Sequence, residues 1–393
     1  MISWLRRPRV TVAVTFFVNG LLLASWAPHV PDVREHLNLT EGVLGTALLA
    51  GAVGSVSAMT LAAPISARIG PHRLAMIAGI ALAVSAPLPV IAPNLWTLVV
   101  ALLAWGAAIG SMDLAMNAVA ADVEHRHGHP LMSGFHGMFS LGALVGSIIA
   151  FVVIRAGLTP VEHMTAVAVL VLVGSWTSFR ALPPATRGMD EADEAPSGRL
   201  RWPGRGLLVI GVIALIVLAA EGAVENWSAL VLKENFGSTA SFAALGYGAL
   251  SLTMAVFRFL GDGINKRVGP VLLLASGAGV AGAGLALGMI VATPWAGVLG
   301  FGIMGIGLAN TVPIVFSAGA AHGRTAAEGL SAVAVLGYLG FIVAPPTIGF
   351  VAQATSLPIA LGGVAAVLGI AALMSRAVAP VRRSDVAREP AVG

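Results

Sequence analysis

The sequence predicts an all-α polytopic membrane protein of twelve transmembrane helices arranged as two pseudo-symmetric six-helix halves. Three observations carry this. The 393 residues are 57% hydrophobic and 10% charged, with 48 glycines, and the mean hydropathy is +0.91, against roughly 45–50% apolar and about 25% charged in soluble chains. Apolar runs long enough to cross a bilayer follow one another along the whole chain. Finally, several short motifs recur in the same order in the two halves. A soluble domain with so few charges for its surface is excluded. The net charge of +4 does not indicate nucleic acid, because the basic residues cluster between apolar runs. The absence of cysteine removes disulfides and thiolate metal sites.

The runs fall near residues 10–30, 42–66, 73–93, 95–121, 131–154, 161–180, 206–231, 240–260, 270–291, 295–319, 327–352 and 357–378. Each approaches the 17 to 25 residues needed for a hydrocarbon core of about 30 Å. The second run is interrupted by small and polar residues, and only the Pro93-Asn94 turn separates the third from the fourth, so eleven is the alternative count. Charge sorting favours twelve. With the amino terminus cytoplasmic, the inside segments collect Arg6, Arg7, Arg9, Arg68, Arg73, Arg126, Lys266, Arg267, Arg324, Arg376 and the arginines of the central linker and tail. The outside loops keep only Arg34, Arg155 and Lys233. Both termini are therefore expected in the cytoplasm. The first run could be taken for a signal peptide, but eleven further spans favour an uncleaved helix.

Residues 181–205, including LPPATRGMDEADEAPSGRLRWPGR, mix proline, glycine and charge and read as a cytoplasmic linker. They divide the chain into an amino-terminal bundle (1–180) and a carboxy-terminal bundle (206–380), followed by a cytoplasmic tail (381–393). RIGP at 68–71 matches RVGP at 267–270, each after the second span of its half, and Trp26 corresponds to Trp227. AWGAAIGSMDLAMN at 104–117 aligns with GFGIMGIGLANTVP at 300–313, which places Asp113 and Asn310 comparably. Halves related by an axis along the membrane normal put a solute path between them.

Polar groups inside the spans are the functional candidates, since an intramembrane carboxylate must face the protein interior or a water-filled path. Asp113 and Asn117 share one helical face, flanked by Met112 and Met116, and Glu221 and Glu225 lie one turn apart in the seventh span. Asp113 suits proton coupling, solute binding or a fixed interhelical bond, whereas Asn117 suits recognition. Two carboxylates at i,i+4 oppose joint ionisation at low dielectric. Glu221 is the first choice for coupling protons, and Glu225 for coupling, solute contact or an outer gate. Trp227 is read as an interface anchor or as an aromatic wall of the path, beside Trp26. His136 is read as a buried imidazole or as a protonation switch with Asp113. Arg258 is placed at an inner gate with Asp262, or in the path facing an anion. Paired glycines, Gly106 with Gly110 and Gly142 with Gly146, allow close helix approach. Pro345 and Pro346 should kink or unwind the eleventh span. The His125, His127 and His129 tract is too short for a metal-site assignment, and neither a metal nor a cofactor is expected.

ISARIGPHRL at 65–74, RFLGDGINKRVGP at 258–270, GSMDLAMN, SGFHGMFSLGALVG and EGAVENWSALVL resemble segments of the major facilitator superfamily, and within it the fucose-permease and YbjJ-like group of bacterial inner-membrane permeases. The resemblance covers residues 5–380. It implies the major facilitator fold and alternating access about a central site. Arg68, Gly70 and Arg73 match the superfamily loop G-x-L-x-D-R-x-G-R-R, but Ala67 replaces its aspartate. The counterpart with Asp262, Arg267 and Gly269 is therefore the better candidate for an inner latch.

The expected function is secondary active transport of a small polar solute, with the resemblance pointing to proton symport and to sugars or their derivatives. The chain is expected to work as a monomer in the bacterial inner membrane. No G-x-x-x-x-G-K-[ST] loop is present, so no ATP-driven engine is expected within the chain. A proton-driven multidrug or metabolite exporter is the alternative, though the fifth span lacks the proline-bearing antiporter pattern. A non-transporting sensor or assembly protein is a third class. No nucleophile, base and oxyanion donor assemble into an enzyme site.

Overall fold

A computed structural model describes residues 8–128, 131–179, 204–323 and 325–380, and their side chains except at 174–179, 262, 326 and 327. Most of the linker, the tail, Arg6, Arg7, His129 and Arg324, and the side chain of Asp262, lie outside that description.

Twelve membrane-crossing helices follow in chain order. The first half comprises α1 (Pro8–Trp26, continued by a 3-10 turn at Ala27–His29 and a short helix, Val30–His36), α2 (Glu41–Ile69), α3 (Pro71–Ser85), α4 (Leu95–His127), α5 (Met132–Arg155) and α6 (Pro160–Phe179). The second comprises α7 (Arg205–Leu230, running into a π turn at Val231–Asn235), α8 (Ala240–Ala243, then Leu245–Val268), α9 (Pro270–Val291), α10 (Pro294–Leu308, then Thr311–His322), α11 (Ala326–Ala354) and α12 (Leu357–Leu373, then a 3-10 turn at Met374–Val378). Eleven are long and apolar enough to cross a membrane, and the described part of α6 adds a shorter apolar helix, Pro160–Val173. Twelve crossings put Pro8 and Val378 on one face, here the termini face; the loops α1–α2 and α7–α8 lie on the opposite, far face.

The outer surface is apolar as lipid requires: Leu61 is 68% exposed, Ile290 78% and Leu373 85%. Trp96 and Trp295, at the far-face starts of α4 and α10, are 78% and 65% exposed and form an aromatic belt. Some hydroxyls inside the bundle bond to their own helix, as Thr15 does to the Thr11 carbonyl (2.9 Å) and Ser25 to that of Leu21 (2.8 Å), where hydrocarbon offers no water.

Packing repeats between the halves. Within the first half α1 lies on α5 and α2 on α4; within the second α7 lies on α11 and α8 on α10. Between halves, α5 packs on α8 and α2 on α11, and exchanging the halves turns one of these contacts into the other. The RIGP and RVGP repeats show why the duplication is visible. Gly70 (φ 87°) and Gly269 (φ 80°) both reverse the chain with positive φ before a proline that opens the next helix. Only glycine takes that conformation without strain.

The paired glycines serve helix packing. A side chain at Gly106 or Gly110 would collide with the backbone of α2 at Gly51 and Ser55, and one at Gly142 or Gly146 with α1 at Phe17 and Leu21. Pro345 and Pro346 do not unwind α11, which stays helical from Ala326 to Ala354. Their neighbourhood is instead a close backbone crossing, where the Pro345 carbonyl lies against Gly45 of α2.

Candidate functional site

The predicted polar residues fall into a belt that runs from one half into the other and back. On α4, Asn117 Nδ2 donates to Asp113 Oδ1 (3.1 Å) and to the Asp113 carbonyl (2.8 Å). Across the interface, the Tyr338 hydroxyl of α11 donates to Asp113 Oδ2 (3.5 Å). Phe341, one turn on and 6.4 Å ring to ring from Tyr338, packs over Gly222 of α7. Beside Gly222, Glu221 Oε1 lies 3.6 Å from Arg258 Nη2 of α8. Arg258 Nη1 then returns to the first half, donating to Ser140 Oγ (2.7 Å) and to the His136 carbonyl (3.5 Å) on α5.

Helical rise sets the depth of this belt. At 1.5 Å per residue, Asp113 lies about 21 Å along α4 from its nearer end, His127, and Tyr338 about 18 Å along α11 from its nearer end, Ala326. Glu221 lies about 21 Å along the chain from Asn235 on the same scale. All three are thus deep in a membrane whose core is about 30 Å thick.

Within the belt the three carboxylates differ. Asp113 holds two neutral partners, Asn117 and Tyr338. Glu221 is committed to Arg258, the two side chains being only 15% and 11% exposed. Glu225, half-buried one turn toward the far face, makes no hydrogen bond or ion pair among the described residues. Three acids against one guanidinium leave an excess of negative charge that a proton or a cationic group must offset.

Several expectations change. Trp227 and Trp26 are 0% and 2% exposed, so neither anchors at the lipid interface nor faces an open path; Trp26 packs edge-on against Trp105 (5.5 Å). Asn310 does not mirror Asp113. It sits at the break in α10, donates from Nδ2 to the Phe257 carbonyl (3.1 Å) and fills the space beside Gly261, which braces α8. Arg258 neither snorkels nor stands free for an anion, because its guanidinium is spent on Glu221 and α5. His136 meets Phe16 edge-on (5.3 Å), and among the described residues its ring makes no hydrogen bond to Asp113. Arg68, Arg73 and Arg267 are exposed and form no ion pair among the described residues, which do not include the Asp262 side chain.

The closed latch is on the far face. Arg34 pairs with Glu234 across the halves and with Glu41 (2.7 Å). Lys233 reaches Asp32 and Glu35, each at 3.3 Å. Gln353 Oε1 of α11 accepts from Thr40 Oγ1 (2.9 Å) and the Gly42 amide (3.1 Å) at the start of α2.

Tyr338, Ser140 and this latch escaped the sequence reading, although each left a trace. Tyr338 is one of only two tyrosines in the chain, and it lies well inside a span. Arg34 and Lys233 are two of the three basic residues that break the charge asymmetry.

Comparison with known proteins agrees with the architecture. Residues 12–345 match the family model of the Major Facilitator Superfamily. An uncharacterized MFS-type transporter of Yersinia pestis is 33% identical over 371 residues, covering 94% of this chain and 95% of that one. Membrane protein MosC of Rhizobium meliloti is 33% identical over 351 residues, covering 89% and 85% respectively. Among solved structures, the D-xylose-proton symporter superposes with a TM-score of 0.73 at 16% identity, covering 93% of this chain and 96% of that one. The nucleoside transporter NupG superposes with a TM-score of 0.69 at 12% identity, covering 96% and 100%. At those identities the likeness is one of fold.

Proposed function

The chain belongs to the Major Facilitator Superfamily, and from that premise we propose that this multi-pass membrane transporter carries a small polar solute together with protons. One observation carries the reading: two sets of polar contacts, Asp113–Tyr338 and Glu221–Arg258–Ser140, each cross between the halves deep in the membrane. Such a belt has little use in lipid unless the halves move and the groups exchange partners.

Glu225 is the acid best placed to exchange a proton, because nothing among the described residues holds it in one state. Glu221 follows it through Arg258. Protonation of Glu225 removes the repulsion between the two acids and lets Glu221 keep its guanidinium. Loss of that proton makes two carboxylates compete for Arg258, which pulls it from Ser140 and loosens α5 from α8. Asp113 and Asn117, with the Tyr338 hydroxyl, offer acceptors and donors suited to a hydroxyl-bearing solute such as a sugar or sugar derivative. A solute hydroxyl inserted between them, accepting from Tyr338 and donating to Asp113 in place of their direct contact, would couple binding to parting of α4 from α11.

Positive-inside sorting supports a cytoplasmic termini face in a bacterial inner membrane. The bodies that rock are residues 1–180 and 206–380, joined by the linker. With the far face latched by Arg34 and Lys233, and with Arg68, Arg73 and Arg267 forming no ion pair among the described residues, we read the conformation as closed on the far face. The test is uptake of a solute library by sealed proteoliposomes with and without an imposed proton gradient. Accumulation of a polar solute only with the gradient supports the reading. Solute-driven proton movement in the opposite direction would support an exporter instead.

A further inference from the structure

We propose that the buried pair His29–His163 is a second proton-binding site, separate from the mid-membrane carboxylates, and that loading it releases the far-face latch. The inference rests on alternating access but not on the solute or on which carboxylate couples its transport.

The two imidazoles are 0% and 1% exposed. His29 ends α1 and His163 begins α6, and His29 Nε2 lies 2.7 Å from His163 Nδ1. On its other side His29 Nδ1 lies 3.1 Å from Asp32 Oδ2, while Asp32 Oδ1 accepts from Lys233 of the second half (3.3 Å). A line of contacts therefore leads from the interior of the first half to the cation that ties the second half to it. His163 Nε2 ends that line, buried and with no partner among the described residues.

Hydrogen counting shows how the line responds to protons. The Asp32 carboxylate only accepts, so it fixes the hydrogen of His29 on Nδ1 and leaves Nε2 bare to accept from His163 Nδ1. Both rings are then neutral and every contact in the line is satisfied. One extra proton fits on His163 Nε2 without breaking a bond, but it adds positive charge to a line whose single acid, Asp32, is already shared with Lys233. A second would set N–H against N–H across the 2.7 Å contact and place two imidazolium charges side by side. The latched face thus disfavours the first added proton, which would charge a buried ring, and rejects the second. A parted face, which admits water, accepts both.

No other charge offsets this. Arg34, Glu35 and His36 on the same segment, Glu41 at the start of α2, Arg155 at the end of α5, Glu162 on α6, Glu225 on α7 and Lys233 and Glu234 beyond it are the charged or titratable groups toward the far-face ends of the elements around the pair. Among the described residues only Asp32 bonds to either ring; Glu162 instead accepts from Thr159 (2.8 Å), and Glu35 and Glu234 are taken by Lys233 and Arg34. The 3-10 turn Pro89–Ile91 and the helix Ala240–Ala243 beside the pair carry no charge. Since parting takes up a proton, the open fraction should rise by up to about tenfold per pH unit as acidity increases through the range in which imidazole changes charge, roughly pH 8 to 5.

The absence of native cysteine allows a direct test on the full chain. Spin labels at Leu158→Cys and Asn235→Cys, exposed positions on the far face of opposite halves, report the gap by pulsed electron resonance in lipid nanodiscs without solute. Acidifying from about pH 7.5 to about pH 5.5 should raise the long-distance fraction at least several-fold in the parent protein. His163→Gln and His29→Gln, whose amides cannot charge, should hold that change below about twofold, while Asp32→Asn should open the face at both values. An unchanged distance distribution in the parent overturns the proposal, and so does a full response in both glutamine variants. Because no transport is read, failure here leaves gradient-driven uptake standing, and failed uptake leaves this response standing.

Discussion

Replacing Arg258 by glutamine strands Glu221 in the membrane, and the structure sets the size of the effect. The pair is separated by 3.6 Å, with side chains 11% and 15% exposed. At an effective dielectric of about 20, two unit charges at that separation attract by about 4.6 kcal/mol. Removing one partner of a buried pair typically costs about 3–5 kcal/mol, because the remaining charge is left uncompensated. Arg258→Gln should therefore lose about that much stability. Glu221→Gln should lose less, because Arg258 keeps Ser140 and the His136 carbonyl. In the double variant neither charge remains and two amides can bond, so it should lie within about 2 kcal/mol of the parent. Equilibrium unfolding in mixed micelles, followed by tryptophan fluorescence, gives all four corners of the cycle. Losses that add to within about 0.5 kcal/mol would show that the two residues do not interact and would remove the second-half arm of the belt.

The other predictions address transport and gating. Glu225→Gln should abolish gradient-driven accumulation while leaving solute exchange between equal pools; loss of both would make Glu225 a binding or folding residue rather than a proton carrier. Tyr338→Phe and Asp113→Asn should each weaken solute affinity by roughly 2- to 12-fold, the worth of one hydrogen bond, and the double variant should do little worse than the poorer single if the groups act together. Removing both latch cations with Arg34→Ala and Lys233→Ala, each worth about 0.2–1 kcal/mol in partly exposed pairs, should shift the population toward the far-face-open form by about 2- to 30-fold in a spin-label distance measurement. Gly45→Ala places a methyl group against the Pro345 carbonyl and should shift the same measurement in the same direction; an unshifted distribution would mean that α2 and α11 yield there without parting.

Much of the architecture was legible because lipid imposes simple rules. Span lengths and the duplicated RIGP and RVGP turns depend on local chemistry, namely apolar length and a positive-φ glycine, and the helices match the expected runs closely. The α4 helix outruns its apolar run, ending at His127, because Asp122 and Arg126 pair one turn apart and Glu124 caps the amides of Leu131 and Met132 (2.6 and 2.7 Å) at the start of α5. The acids of the site were visible as charges where lipid forbids them. Their partners were not. Asp113 meets Tyr338 across 225 positions and Arg258 meets Ser140 across 118, and no periodicity within one helix encodes which face of another it will touch. The tryptophans misled for the same reason, since position along a helix does not say which way a ring points. Arg34 and Lys233 were noticed only as exceptions to a charge rule, and their use as a latch depends on two loops meeting from opposite halves.

The most direct test of coupled transport is to add a solute that the vesicles accumulate to weakly buffered proteoliposomes, without an imposed gradient, and record the external pH. Proton-coupled entry should give alkalinisation that tracks solute entry in the parent protein and disappears in Glu225→Gln. Solute entry with no accompanying pH change would contradict it.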